Sequence, residues 1–200
     1  MKGVMLEIPN QLLQQRRRNG SERWDEMWEG VLHMNPPPSF EHQDLEVELM
    51  VWLRNYWAKR GEREARHQAA VSPREDDWVE DYRTPDIILL CGQSIARKRE
   101  TYLFGPPDAA IEICSPGDET YEKFPFHAQL KTPEIWVVHR DTKEIEVYVL
   151  QDYGYEEVAP DQNGWLSSAQ TGIQLRATTG RKLEIRLADE NDTKQVLPYE

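Results

Sequence analysis

Thr84-Pro85-Asp86-Ile87-Ile88-Leu89-Leu90 and Ala109-Ala110-Ile111-Glu112-Ile113-Cys114 decide how this chain folds. Both apolar runs are short, β-rich and bounded by turn residues, so they read as buried strands and not as helices. Asp86 stands at the head of the first and Glu112 in the middle of the second, 26 positions later (112 − 86). Two carboxylates on neighbouring buried strands are costly unless something positive lies between them. Lys123 follows closely. Two oxygen donors with an amine beside them are the usual arrangement around a divalent cation.

Working outward, Asn10 to Asn19 reads as a short helix capped by Asn10 and stopped by Gly20. Its Arg16-Arg17-Arg18 is either a solvated helix end that suits the dipole or a phosphate contact. Trp24 to Asn35 predicts a hairpin turning at Glu29-Gly30, broken by Pro36-Pro37-Pro38. Ser39 then caps the longest helical pattern, in which Leu45, Leu49, Trp52, Leu53 and Tyr56 keep three-four spacing until Gly61. His42 and Glu46, four apart, share one face of that helix. Arg63 to Val71 reads as one strand, and the irregular connection after Cys91 carries Arg97-Lys98-Arg99, a solvated run or the edge of a groove. Beyond Ser115-Pro116-Gly117 come a helix ending before Pro133, a buried strand from Ile135 to Val138 and a tight turn at Asp141-Thr142-Lys143. Short strands fill the rest. The pattern predicts a mixed α/β sheet with a helix on each face.

The composition sets limits on function. Two hundred residues suit one domain. A net charge of −12 argues against a broad phosphate-binding surface, while leaving room for a local basic groove. Two cysteines, Cys91 and Cys114, cannot build a four-ligand zinc site alone and read as buried reduced thiols. Without an apolar stretch near 18 residues or a signal-peptide pattern, the chain reads as cytoplasmic, with no membrane partner. Seven tryptophans point to exposed aromatic surface and a homodimer.

Pro85-Asp86, Glu112, Ser115-Pro116 and Lys123 resemble the motif of the Uma-type putative restriction endonucleases, a branch of the PD-(D/E)XK nuclease superfamily. The likeness continues through Lys123-Phe124-Pro125-Phe126-His127, Pro133-Glu134-Ile135-Trp136-Val137-Val138 and Glu144-Ile145-Glu146-Val147-Tyr148. Upstream, Glu26-Met27-Trp28-Glu29-Gly30-Val31-Leu32 and His42 are similar to that family's opening hairpin and first-helix histidine. The resemblance implies a restriction-endonuclease-like domain over residues 24–187 with extra C-terminal strands, leaving 1–23 as an N-terminal helical segment and 188–200 as an acidic tail.

It also implies the chemistry. Asp86 and Glu112 would hold Mg²⁺ or Mn²⁺, and Lys123, His42 and Glu29 would complete the catalytic set of an endonuclease hydrolysing DNA phosphodiester bonds; the net charge of −12 makes its expected DNA binding weak and salt-dependent. Where many superfamily members carry lysine two residues after the glutamate, this chain has Cys114, and the resembled family takes its lysine from the following helix instead. Pro125 places Lys123 at or before that helix's first turn. The other class of function open to such a chain is a catalytically reduced nuclease-like interaction module, dimeric through its tryptophans.

Overall fold

The computed structural model describes residues 9–188 and 190–198, so residues 1–8 of the N-terminal segment and 189, 199 and 200 of the expected tail lie outside it. Helix α1 (Asn10–Asn19) starts from Pro9, not from an Asn10 cap, and ends at Gly20, whose left-handed φ of 73° returns its N–H to the last turn. Arg16 neither faces solvent nor waits for phosphate. It bonds Asp25 and the carbonyls of Ser21 and Asn35, tying α1 to the hairpin. That hairpin, β1 (Glu26–Trp28) and β2 (Val31–His33), turns at Glu29-Gly30 as expected, both at positive φ.

Helix α2 (Phe40–Trp52) begins where the Ser39 hydroxyl accepts the His42 N–H at 3.3 Å, and it runs on through a π-helical turn, Leu53–Trp57. The single strand expected over 63–71 is split. Gln68 at φ 46° separates β3 (Glu64–His67) from β4 (Ala70–Ser72), and the two serve different sheets. After β5 (Ile87–Leu90), the short β6 (Arg97–Lys98) and β7 (Tyr102–Phe104) join β4 in a three-stranded sheet. Next come β8 (Ala109–Cys114), α3 (Phe124–Leu130), β9 (Glu134–His139), β10 (Ile145–Gln151) and β11 (Gly154–Glu157). The central sheet has the order β11-β10-β9-β8-β5-β3, with β8 and β9 parallel and the other pairs antiparallel. A separate antiparallel sheet closes the chain: β12 (Leu166–Ser167), β13 (Ile173–Thr178), β14 (Lys182–Leu187) and β15 (Glu190–Leu197).

Strand β5 is apolar at every position because both of its faces are covered. Ile87 and Leu89 pack with Leu45, Leu49 and Trp52 of α2, whereas Ile88 and Leu90 pack with Phe126 and Leu130 of α3. The α2 cluster extends to Ile173, Leu175, Leu183, Ile185 and Leu197, so the C-terminal sheet encloses the same helix. Trp52 and Trp57 donate their indole N–H groups to the Thr193 and Thr171 carbonyls and fasten that sheet down. One expectation is corrected here. Residues 190–197 are a paired strand that buries Thr193 and Leu197, not a free acidic tail. Of the seven tryptophans, Trp52, Trp57, Trp136 and Trp165 lie inside, where large rings contribute most, while Trp24, Trp28 and Trp78 are half-buried. Cys91 and Cys114 are free but half-buried, not fully covered. No helix of the described residues is long and apolar enough to cross a membrane.

Glu134, fully buried on β9, accepts from the Trp136 indole at 3.1 Å, the Ser168 hydroxyl at 2.5 Å and the Gln170 N–H at 3.1 Å. It therefore staples the loop between β12 and β13 to the central sheet. Glu134→Ala strands these donors and is expected to lower the unfolding free energy by about 3 kcal/mol in urea denaturation. A loss below about 1 kcal/mol would show that the staple is dispensable.

Candidate active site

Strands β5 and β8 are antiparallel, so the chain enters one and leaves the other at the same end of the sheet. A cleft of about 370 Å³ opens there. Glu26, His42, Asp86, Glu112 and Lys123 line it, Trp24 and Pro36–Pro38 supply apolar wall, and Arg23 and Arg140 add positive charge. Of the expected site residues the structure brings together Asp86, Glu112, Lys123 and His42.

Lys123 is the most constrained of them. A short 3₁₀ turn, Tyr121–Lys123, leads directly into α3, whose first turn contains Pro125, as the sequence predicts. The side chain is buried, with Nζ 3.0 Å from Glu112 Oε2 and 3.0 Å from Glu26 Oε1. Burial opposes the ammonium, but Glu112, Glu26 and Asp86 outweigh it and hold the Lys123 pKa above its ordinary value. Glu26 is itself anchored: Oε1 accepts the Thr84 N–H at 2.8 Å and Oε2 the Trp28 indole at 2.9 Å. One ammonium cannot neutralise so many carboxylates. Burial above all pushes Glu112 up to about 8, with Lys123 pulling down and Asp86 and Glu26 pushing up. Behind it, His127 is fully buried, and burial first, then Lys123 and Arg83, press its pKa down to about 3, so the ring stays neutral. His127 Nε2 and Glu112 Oε1 are 4.0 Å apart, and neither makes a hydrogen bond.

Asp86 is held from two sides. Its Oδ2 accepts the Ile113 N–H at 2.6 Å, and its Oδ1 lies 2.9 Å from His42 Nε2. Burial lowers the His42 pKa, but the hydrogen bond and charge of Asp86, with Glu46 adding, raise it overall. Glu46, one turn along α2, is buried, and burial and the Asp86 charge raise its pKa. Ligand atoms of His42, Glu46 and Asp86 all lie within 4.8 Å of one another.

Glu29 is corrected by the structure. It sits exposed in the hairpin turn at φ 50°, outside the cleft, its N–H bonded to Asp81. The carboxylate that the hairpin delivers is Glu26. Strand alternation is the signal that could have found it, because Glu26 and Trp28 share a face and the turn then carries Glu29 away. The Arg97-Lys98-Arg99 run does not line the cleft either. Glu64 pairs with Lys98, and Glu75 with Arg97 and Arg99.

Comparison with known proteins places this geometry. The family model described as Uma2, "Putative restriction endonuclease", matches residues 9–180. The chain belongs to this family. A crystal structure of a putative nuclease of DUF820 from Anabaena variabilis ATCC 29413 is similar in fold, at 20% identity and a TM-score of 0.56, over 74% of this chain and 82% of that one. No curated protein matches significantly. The Uma2 match begins at the N-terminal helix, not at Trp24, in line with the Arg16 bridges that join α1 to the hairpin.

The crowded carboxylates of this Uma2 member make a pH signature. Glu112 holds its proton more tightly folded, at about 8, than at its ordinary 4.5. Its contribution to stability is thus fully present below about pH 4.5 and is lost as pH rises through about 8. In metal-free buffer the melting temperature of Glu112→Gln is expected to gain on wild type between about pH 5 and pH 9. A difference that does not change with pH would contradict the raised carboxyl.

Proposed function

We propose that this chain is a divalent-metal-dependent endonuclease that hydrolyses DNA phosphodiester bonds, with Asp86 and Glu112 holding Mg²⁺ or Mn²⁺. The observation that carries this reading is Lys123, a buried ammonium fixed by carboxylates beside Asp86 in an open cleft. The donor set suits a hard cation, because both acids offer oxygen and Glu112 Oε1 is buried without a hydrogen-bond partner. Such an ion, when bound, polarises the phosphoryl group and lowers the pKa of the attacking water.

The chain's own groups do the rest. The Ile113 N–H and His42 fix both oxygens of Asp86, so little reorganisation is needed during reaction. Glu26, fixed in turn by Thr84 and Trp28, positions Lys123 to stabilise the negative charge that grows on phosphorus. Arg23 and Arg140 at the cleft take flanking phosphates. With only this local positive charge against a net −12, DNA binding is weak and falls as salt rises.

One observation favours a second reading, a catalytically reduced nuclease-like interaction module: Lys123 is 8% exposed and its ammonium is already taken up by two carboxylates. Plasmid cleavage separates the two. The endonuclease is expected to nick or cut DNA with Mn²⁺ and to be silent in EDTA, and Lys123→Ala to slow it by about 100-fold or more while Mn²⁺ binding persists. Cleavage by Asp86→Ala equal to wild type would mark the activity as contamination. Bound Mn²⁺ with no cleavage would favour the module.

A further inference from the structure

We infer that α2 builds a second cation site, His42–Glu46–Asp86, which shares Asp86 with the proposed catalytic ion and takes a nitrogen-accepting first-row ion such as Mn²⁺. The inference rests on the metal-dependent reading above and adds ligands that lie outside the Asp86–Glu112 pair. His42 and Glu46 are one helical turn apart and face Asp86 across the mouth of β5, with ligand atoms mutually within 4.8 Å. Around one ion with bonds near 2.2 Å, ligand atoms lie at most about 4.4 Å apart, so small side-chain rotations close the set.

The outer contacts aim each acid inward. Gln68 Nε2 donates to Glu46 Oε2 at 3.0 Å, and the Ile113 N–H occupies Asp86 Oδ2. Glu46 is thereby left with Oε1 for the shared space, and Asp86 Oδ1 faces it 2.9 Å from His42 Nε2, a contact that a bound ion would replace. Glu46 is 4% exposed, and its Oε1 is buried and makes no hydrogen bond, with the His67 ring nitrogen 3.3 Å away. Leaving a buried carboxylate oxygen unsatisfied is costly unless a ligand completes it. The backbone and amide donors orient the acids as outer-shell partners of a metal site do.

An imidazole among the donors sets the preference. Mg²⁺ favours all-oxygen octahedral sites and keeps its waters, whereas imidazole suits first-row transition ions. Asp86 would serve both the His42–Glu46 site and the proposed site at Glu112, the donor economy of a two-metal clamp on a phosphodiester. His67, exposed beside Glu46, can add a further nitrogen from the open side.

The test is Mn²⁺ binding by the metal-free full chain, counted by electron paramagnetic resonance and titration calorimetry. Wild type is expected to bind two Mn²⁺ per chain. Glu46→Gln, which preserves shape, is expected to bind one, and His42→Ala likewise, while Glu112→Gln loses the other. Millimolar Mg²⁺ is expected to displace one Mn²⁺ from wild type and to leave the His42-dependent one in place. A single Mn²⁺ in wild type that survives Glu46→Gln and disappears in Glu112→Gln would overturn the second site and leave the proposed catalytic ion standing. Two ions that both survive Glu46→Gln would also overturn it. No Mn²⁺ binding at all would remove both readings.

Discussion

The salt-bridged burial of Lys123 between Glu26 and Glu112 is the constraint on which the rest depends. It joins three parts of the chain that are distant in sequence: the N-terminal hairpin, the middle of β8 and the first turn of α3. The Lys123 ammonium could not be buried without its acidic partners, and removing one partner of a buried pair typically costs about 3–5 kcal/mol. The proline in the first turn of α3 and the Thr84 and Trp28 donors on Glu26 make the geometry rigid.

The same economy of charge governs the outside. Several positive groups outside the cleft are taken up by internal pairing: Arg16 by Asp25, Lys98 by Glu64, Arg99 by Glu75, Arg176 by Glu184. Arg23, stacked 4.0 Å over Trp24, lines the cleft, as does Arg140, which pairs with Asp141 and Glu41.

Much of this was legible in the sequence. The strands carrying Asp86 and Glu112 announce themselves because β5 is buried on both faces and therefore has no polar interruption. The Ser39 cap, the Glu29-Gly30 turn and the place of Lys123 before Pro125 follow from local chemistry, and local chemistry is what sequence encodes most directly. Less legible was anything that depends on a distant partner. Glu26 and Glu29 look equivalent until strand alternation and the turn assign one inward and one outward. Trp52 and Trp57 read as surface because nothing local reveals that β13, β14 and β15 return to cover α2. Arg16 reads as a solvated helix end because Asp25 and the Asn35 carbonyl reach it only in three dimensions. Glu46 stood out only as a neighbour of His42; its approach to Asp86 requires α2 to lie across the mouth of β5.

The proposed cation site of Asp86 and Glu112 lies in the cleft beside Lys123. A crystal structure from Mn²⁺-soaked crystals, with anomalous scattering recorded at the manganese edge, tests it most directly. The account predicts an anomalous peak within coordination distance of both carboxylates, about 2.1–2.4 Å, with Lys123 turned from Glu112 but still bonded to Glu26. An intact fold with Lys123 still locked between Glu26 and Glu112, and no anomalous density in the cleft, would contradict it.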